Sequence, residues 1–248
     1  EDSALKRPPN RILVAPDSFK ECLSSTEVAR YLAEGLNSVL PQTEIVTLPM
    51  ADGGEGTLEI LLSATGGTLV EMEVSNPIGE PVIAGFANLG DGETALIEMS
   101  RASGLELVAP GRRNATQATS RGTGQLICEA LNKGCRKIIL AVGGSATTDA
   151  GSGALDALGM KFLDATGRRI PPGGEGLLSL NRLDLSAVHP SLLNSEIIIL
   201  CDVDNPFAGP AGAACIYAPQ KGATAGQVAL LDRALENFAG VCSKYLGR

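Results

Sequence analysis

Apolar residues at positions 12–15 form a short continuous run, the pattern of a buried strand. The polar stretch behind it contains Ser24-Ser25-Thr26-Glu27, whose Ser-x-x-Glu spacing is that of a capping box opening a helix. Val28, Leu32, Leu36 and Val39 then recur at helical spacing, and Pro41 closes the element. A second strand is expected at 44–48. Gly53-Gly54-Glu55-Gly56 leads into a helix carrying Leu58, Leu61 and Leu62, with Gly66-Gly67 as its stop. Strand, helix, strand, helix is the opening of a parallel α/β unit.

The rhythm changes after Thr68. Strand candidates at 69–74, 82–87 and 94–99 alternate with turn signals at Asn76-Pro77-Ile78-Gly79 and Gly90-Asp91-Gly92, which predicts antiparallel hairpins and a different subdomain. The boundary is placed near 68–75, giving 11–70 as the first part and 71–248 as the second. A helix is expected over 122–132, a strand over 137–142, a Gly/Ser/Thr loop over 143–149 and a short helix over 152–158. Residues 168–181 read as loop and 196–201 as a strand. The longest helix is expected over 224–246, opened by Thr224-x-x-Gln227. The opening unit holds only two strands, and a two-stranded parallel sheet cannot bury both faces. Either the later strands join it, or part of its sheet lies outside this sequence.

Composition narrows the function classes. Of 248 residues, 44% are hydrophobic, too many for a disordered chain, and no apolar run approaches the roughly 20 residues of a membrane span. The net charge of −8 comes without a basic stripe, and aromatics make up 3% with no Trp, so neither nucleic acid nor stacking recognition is expected. An anionic substrate would need a local pocket of Lys, Arg or N–H groups. Six cysteines, with no Cys-x-x-Cys, read as free thiols of a cytoplasmic protein. His189 is the lone histidine, so a His-based triad or a His-rich metal site is not supported. Asn114-Ala115-Thr116 matches a glycosylation acceptor, but no secretory signal accompanies it.

In parallel sheets ligands gather beyond the C-terminal strand ends. Polar clusters fall there at Pro16-Asp17-Ser18-Phe19-Lys20, Asp52-Gly53-Gly54-Glu55-Gly56-Thr57, Gly143-Gly144-Ser145-Ala146-Thr147-Thr148-Asp149, and Cys201-Asp202-Val203-Asp204-Asn205-Pro206, the last followed by Pro219-Gln220-Lys221-Gly222. These ingredients suit phosphoryl transfer. Glycines bring N–H groups to phosphate oxygens, hydroxyls add hydrogen bonds, lysines neutralise charge, and carboxylates hold Mg2+ or the attacking hydroxyl. No Walker A pattern occurs, and Gly122-Thr123-Gly124 and Gly151-Ser152-Gly153 are incomplete against GxGxxG. Physical reading alone stops at a cytosolic α/β protein with a phosphorylated or carboxylate ligand.

A resemblance goes further. Ala15-Pro16-Asp17-Ser18-Phe19-Lys20, Ala51-Asp52-Gly53-Gly54-Glu55-Gly56-Thr57, Ile97-Glu98-Met99, Thr119-Ser120-Arg121-Gly122-Thr123-Gly124, Gly143-Gly144-Ser145-Ala146-Thr147, Cys201-Asp202-Val203 with Asn205-Pro206, and Pro219-Gln220-Lys221-Gly222 are similar, in order, to motifs of the bacterial-type glycerate kinases. The likeness is to the glycerate 2-kinase branch and covers the N-terminal two-thirds of that family. It implies ATP-dependent phosphorylation of D-glycerate, with Mg2+, to 2-phosphoglycerate. It also implies an α/β fold: the start of a flavodoxin-like parallel α/β domain, interrupted by a second mixed α/β domain, with a cleft between them. The family's further C-terminal region would complete the first sheet, here as a separate piece. The alternative is a truncated, non-catalytic module binding a small organic acid or a partner.

On this resemblance Asp17 and Asp52 are expected near the reacting centre as base or, for Asp52, as Mg2+ ligand, with Asp202 the alternative base. Lys20 would stabilise the transferring phosphate. Ser18, Gly53, Gly54, Gly143, Gly144, Ser145 and Thr147 would hold substrate or phosphate, with Lys221 on the opposite wall and Arg121 as a carboxylate clamp. One departure stands out: Thr148-Asp149-Ala150-Gly151 replaces the family's Asn-Asp-Gly-Gly, and Ala150 adds a methyl group where a positive φ would favour glycine.

Overall fold

The computed structural model describes residues 9–19, 22–50 and 56–247. The chain opens with β1 (Arg11–Val14), α1 (Ser25–Val39), β2 (Glu44–Thr47) and α2 (Thr57–Thr65). Ser24 caps α1 as its spacing predicts. Its hydroxyl accepts from the Glu27 N–H, and the Glu27 carboxylate takes the Ser24 N–H at 2.9 Å, satisfying two donors that a helix start leaves open. β1 and β2 pair in parallel from Arg11 beside Glu44 to Val14 beside Thr47. Among the described residues no third strand joins them.

The later strands build sheets of their own. They are β3 (Thr68–Ser75), β4 (Pro81–Asn88), β5 (Thr94–Glu98), β6 (Lys137–Ala141), β7 (Lys161–Leu163), β8 (Arg182–Asp184) and β9 (Glu196–Leu200). One five-stranded sheet runs β3-β4-β5-β6-β9, with β3, β4 and β5 antiparallel and β5, β6 and β9 parallel. The hairpins expected from the turn signals are therefore present, and they carry a parallel half on the same sheet. The chain is a mixed α/β fold with a parallel pair and this larger mixed sheet.

The helices after α2 are α3 (Ser100–Ser103), α4 (Arg121–Asn132), α5 (Ser152–Ala157), α6 (Ala213–Tyr217) and α7 (Ala225–Leu246). α4 lays Leu126, Ile127, Ala130 and Leu131 on one face of the sheet against Phe86, Ile97 and Ile138. α2 covers part of the other face, Leu58 meeting Ala87, Leu89 and Leu96. All five residues of β5 are buried, with Ala95, Leu96 and Ile97 its apolar centre, as suits a strand covered on both faces. Gly124 lets α4 and α5 touch: a Cβ there would lie 2.3 Å from the Ala154 carbonyl oxygen.

A second core forms under α7, where Leu231, Ala234 and Leu235 pack on Leu177, Ala214 and Ala218. The 168–181 segment is more ordered than its Gly/Pro content predicts. It holds a 3-10 turn, Gly174–Ser179, whose Leu177 carbonyl accepts from Asn237 Nδ2 at 2.7 Å. No helix among the described residues is long and apolar enough to cross a membrane. All six cysteines are unpaired.

In the parallel half, Glu98, Ala141 and Leu200 lie side by side. The loops that follow β5, β6 and β9 thus leave from one edge of the sheet, where parallel architectures place their ligands.

Candidate active site

The loop after β6 is held open by its own backbone. Gly144 adopts φ +69°, a left-handed conformation that glycine takes without a Cβ penalty. Its carbonyl accepts from the Leu105 N–H at 2.9 Å, and the Ala146 N–H donates to the Ser103 carbonyl at 2.9 Å, stitching the loop to the chain beyond β5. Among the described residues, the N–H groups of Gly143, Gly144 and Ser145 donate to no protein acceptor. Successive free N–H groups around a left-handed residue form a concavity that attracts anions.

Lys221 lies beneath this loop, buried to 8% exposure. Its ammonium donates to Ser145 Oγ at 3.0 Å and to the Thr147 carbonyl at 2.5 Å. Both acceptors are neutral, and an ammonium carries three donors. Burial pulls the Lys221 pKa from its ordinary 10.5 to about 8, while the charge of Asp149 pulls it partly back. The ammonium keeps its proton at neutral pH with one N–H unassigned.

The far end of the loop is locked by Asp149, which is 1% exposed. Its Oδ2 accepts from the Ser120 N–H and hydroxyl, each at 2.8 Å, and from the Gly153 N–H at 3.2 Å. Its Oδ1 accepts from the Gly151 N–H at 3.2 Å. The Ser120 hydroxyl also accepts from the Ala154 N–H at 3.0 Å, so the Ser120–Asp149 pair ties the starts of α4 and α5 together. Between these anchors Ala150 sits at φ +52°, the one non-glycine residue with positive φ among those described. Its methyl group packs against the core under α7, which offsets part of the strain. The Thr148 hydroxyl is buried with no partner among the described residues, a cost of about 1–3 kcal/mol.

The comparisons with known proteins decide which family built this loop. A model of the glycerate kinase family matches residues 12–248. The chain belongs to the glycerate kinase family. It is 48% identical over 237 residues to a glycerate kinase of Bacillus subtilis (strain 168), covering 96% of this chain and 62% of that one. It is 46% identical over 236 residues to a glycerate 2-kinase of Escherichia coli (strain K12), covering 95% and 62%. The crystal structure of a protein assigned as glycerate kinase 2 from Salmonella typhimurium LT2 superposes with a TM-score of 0.88 at 43% identity, covering 96% of this chain and 63% of that one. The chain thus spans about 62% of the length of the curated relatives it matches.

The family motifs do not all converge in the structure. Ser145, Thr147 and Lys221 are brought into direct contact, with Gly143 and Gly144 adjoining them. Asp17 and Ser18 follow β1, where the Ser18 N–H donates to Asp17 Oδ1 at 2.6 Å, and Asp17 is exposed. Asp202 is exposed just beyond β9, on the sheet edge that bears the Gly143–Gly144 turn. No hydrogen bond links Asp17 or Asp202 to Lys221. Arg121 is ion-paired with Asp156, which also takes Arg169 at 2.5 Å, so its guanidinium already has a carboxylate partner. Lys20, Asp52, Gly53 and Gly54 lie outside the described residues.

Two buried carboxylates carry structure that motif matching alone does not reveal. Asp149 is one. Glu98, 1% exposed at the end of β5, is the other. Its Oε1 accepts the Leu58 N–H of α2 at 2.9 Å, and its Oε2 takes Arg101 Nε at 2.7 Å. The start of α2 is thereby anchored to the same sheet edge. Among the described residues no group of three His, Cys, Asp or Glu side chains is arranged to hold a metal ion. Mg2+ bound with a nucleotide takes one or two protein carboxylates. Of the carboxylates expected near the reacting centre, Asp17 and Asp202 are described, each exposed and each able to supply one such donor.

Proposed function

We propose that the chain carries the substrate-binding part of an ATP-dependent kinase that phosphorylates D-glycerate to 2-phosphoglycerate, with Mg2+ accompanying the nucleotide. The observation that carries this reading is the free N–H row of Gly143, Gly144 and Ser145 above the buried Lys221 ammonium. Backbone donors and a desolvated cation fixed in place cost no reorganisation when negative charge arrives, which is how phosphoryl transfer is stabilised.

In this reading the N–H row and Lys221 hold anionic oxygens. Asp17, Asp52 and Asp202 are the carboxylates from which the acceptor of the reacting hydroxyl's proton is drawn. Asp202 is favoured among the described ones by its place on the sheet edge. Lys20 neutralises phosphate charge, and the reaction takes place in the cytoplasm. The parts of the relatives' length not spanned by this chain complete the nucleotide side.

The test is a coupled assay of ATP consumption with D-glycerate and Mg2+. It is run on this chain alone and on the chain with the C-terminal third of the Bacillus subtilis relative supplied in trans. Formation of 2-phosphoglycerate, identified by 31P NMR, is the expected result in at least the second case. D-glycerate binding without turnover in either case would instead leave a binding module for a small organic acid.

A further inference from the structure

Ser145 and Lys221 meet in a way that anion binding alone does not require. The Lys221 side chain, 8% exposed, reaches Ser145 Oγ at 3.0 Å across 76 positions of sequence, and its second hydrogen bond goes to the Thr147 carbonyl. The recess around Lys221 is lined by Leu105, Val108 and Ala146 and has no room for a water molecule. Apolar, dry surroundings disfavour the charged form of an amine, which brings its pKa down to about 8. Two charged groups lie nearby: Asp149, on the same loop, pulls the value partly back, and Arg113 lies with its backbone against Gly222. Around pH 8 about half of the molecules therefore hold a neutral amine beside the Ser145 hydroxyl. The Thr147 carbonyl can keep one of its N–H groups in either state, which leaves the lone pair for Oγ.

A serine becomes a nucleophile when a base within hydrogen-bond reach takes its proton, and a buried lysine is one such base. The oxyanion that follows needs donors fixed beforehand. Serine hydrolases of one class take them from the N–H of the nucleophile and the N–H two residues before it. Ser145 and Gly143 have that spacing, and neither N–H donates to a protein acceptor among the described residues. Gly143 and Gly144 are exposed and Ser145 is partly exposed. The hydroxyl is thus approached over two residues without side chains, while the lysine stays behind it.

We propose that Ser145 and Lys221 are a nucleophile–base pair that hydrolyses small carboxylic esters through an acyl group carried on Ser145. Neutral Lys221 takes the hydroxyl proton as Ser145 Oγ bonds to the acyl carbon, and the carbonyl oxygen becomes an oxyanion beside the Gly143 and Ser145 N–H groups. Collapse of the oxyanion breaks the bond to the leaving alcohol, which departs with the proton from Lys221. Water then attacks the acyl carbon and gives its proton to Lys221. Oγ leaves with that proton, and serine, lysine and a free carboxylic acid result. The recess is too narrow to take an acyl chain, so the substrates are esters of acetyl-sized acids presented from the exposed side of the loop. The activity needs neither ATP nor glycerate and does not rest on the kinase reading.

The test follows p-nitrophenyl acetate hydrolysis by this chain from pH 6 to 10, with peptide mapping of the acetylated protein. The expected result is a stoichiometric burst of p-nitrophenolate and an acetyl group on the peptide carrying Ser145. The rate should rise through an apparent pKa of about 8 and then level off. Ser145→Ala removes one hydroxyl from a partly exposed side chain, so it should keep its Tm while losing the burst and at least nine-tenths of the rate. Lys221→Met should slow acylation about a hundredfold, the order of general-base catalysis. Should that variant not fold, the pH profiles of wild type and Ser145→Ala decide the matter. Acetyl groups only on lysine or cysteine side chains, a wild-type rate in Ser145→Ala, or a rate proportional to hydroxide up to pH 10 would each overturn the pair. Hydrolysis no faster than in buffer would do so too.

Discussion

Residues 9–65 and residues 68–247 solve the burial problem differently. The first stretch builds a two-stranded parallel pair and two helices, and much of its apolar surface stays in water: Leu13 is 59% exposed, Val39 74% and Leu48 50%. The second encloses Phe86, Leu126, Ile138, Leu177 and Leu231 completely. A sheet of two strands has too little width to cover both faces, whereas five strands under α4 and α2 do. Within the first stretch, α2 is held by packing on β4 and β5 and by the Glu98–Leu58 bond, while β1, α1 and β2 pack chiefly on one another. Asp17 lies in this less enclosed stretch, just after β1. The N–H row and Lys221 belong to the better enclosed one, so half of the proposed site stands on a closed core and half does not.

Asp149→Ala strikes the better-packed region at its tightest knot. It leaves the N–H groups of Ser120, Gly151 and Gly153 without their carboxylate, and a loss of about 4 kcal/mol is expected in urea unfolding. A loss under about 1 kcal/mol would show that the loop is not locked there.

Glu98→Ala tests the tether. It should cost about 3 kcal/mol by stranding the Leu58 N–H and one face of Arg101. Limited proteolysis should then cut within 9–65 while 68–247 survives, and cuts spread evenly over both parts would erase the distinction between them.

Lys221 gives the distinction a pH signature. Its folded pKa of about 8 lies below the ordinary 10.5. Between these values the unfolded chain binds more protons, so stability rises with pH there, by roughly 2–3 kcal/mol. Below about pH 8 both states are protonated, and the full burial cost is present. Above 10.5 both are neutral, and the cost is gone. Asp149 is the charged group that acts on this balance. The pH dependence of wild type minus that of Lys221→Met isolates it, and a flat difference from pH 7 to 11 would contradict the burial. Anion binding should weaken over the same rise above pH 8.

The smallest effect belongs to Ala150→Gly. Relief of left-handed strain, about 1–2 kcal/mol, is opposed by glycine's larger unfolded-state entropy and by the lost methyl contact. A net gain of about 0.5 kcal/mol in thermal unfolding is expected.

Much of the fold was legible because local signals and burial agree. Ser24 with Glu27, and Thr224 with Gln227, open helices at the positions their spacing predicts. The turn signals at Asn76 and Asp91 fall between β3, β4 and β5, and Asn76 and Asp91 each accept backbone N–H bonds there. The parallel attachment of β6 and β9 to that hairpin set was not legible, since apolar runs name no partner strand. At the candidate site, glycine and hydroxyl content singled out the Gly143–Thr147 loop, whose Ser145 and Thr147 the structure brings to Lys221. Asn114-Ala115-Thr116 matches a glycosylation pattern, while in the structure the Thr116 N–H and hydroxyl close a turn on Asn114 Oδ1. Arg121 stood in a family motif, yet its charge is answered by Asp156, a pairing across 35 positions that no local pattern encodes.

The most direct measurement of the central claim is hydrogen–deuterium exchange on the chain with and without D-glycerate and ATP. Protection should appear at the amides of Gly143, Gly144 and Ser145 and at 219–222, within a region already slow to exchange, while 11–47 stays fast. Unchanged exchange at those three amides under saturating ligand would contradict the assignment of the loop as the anion-binding part of the site.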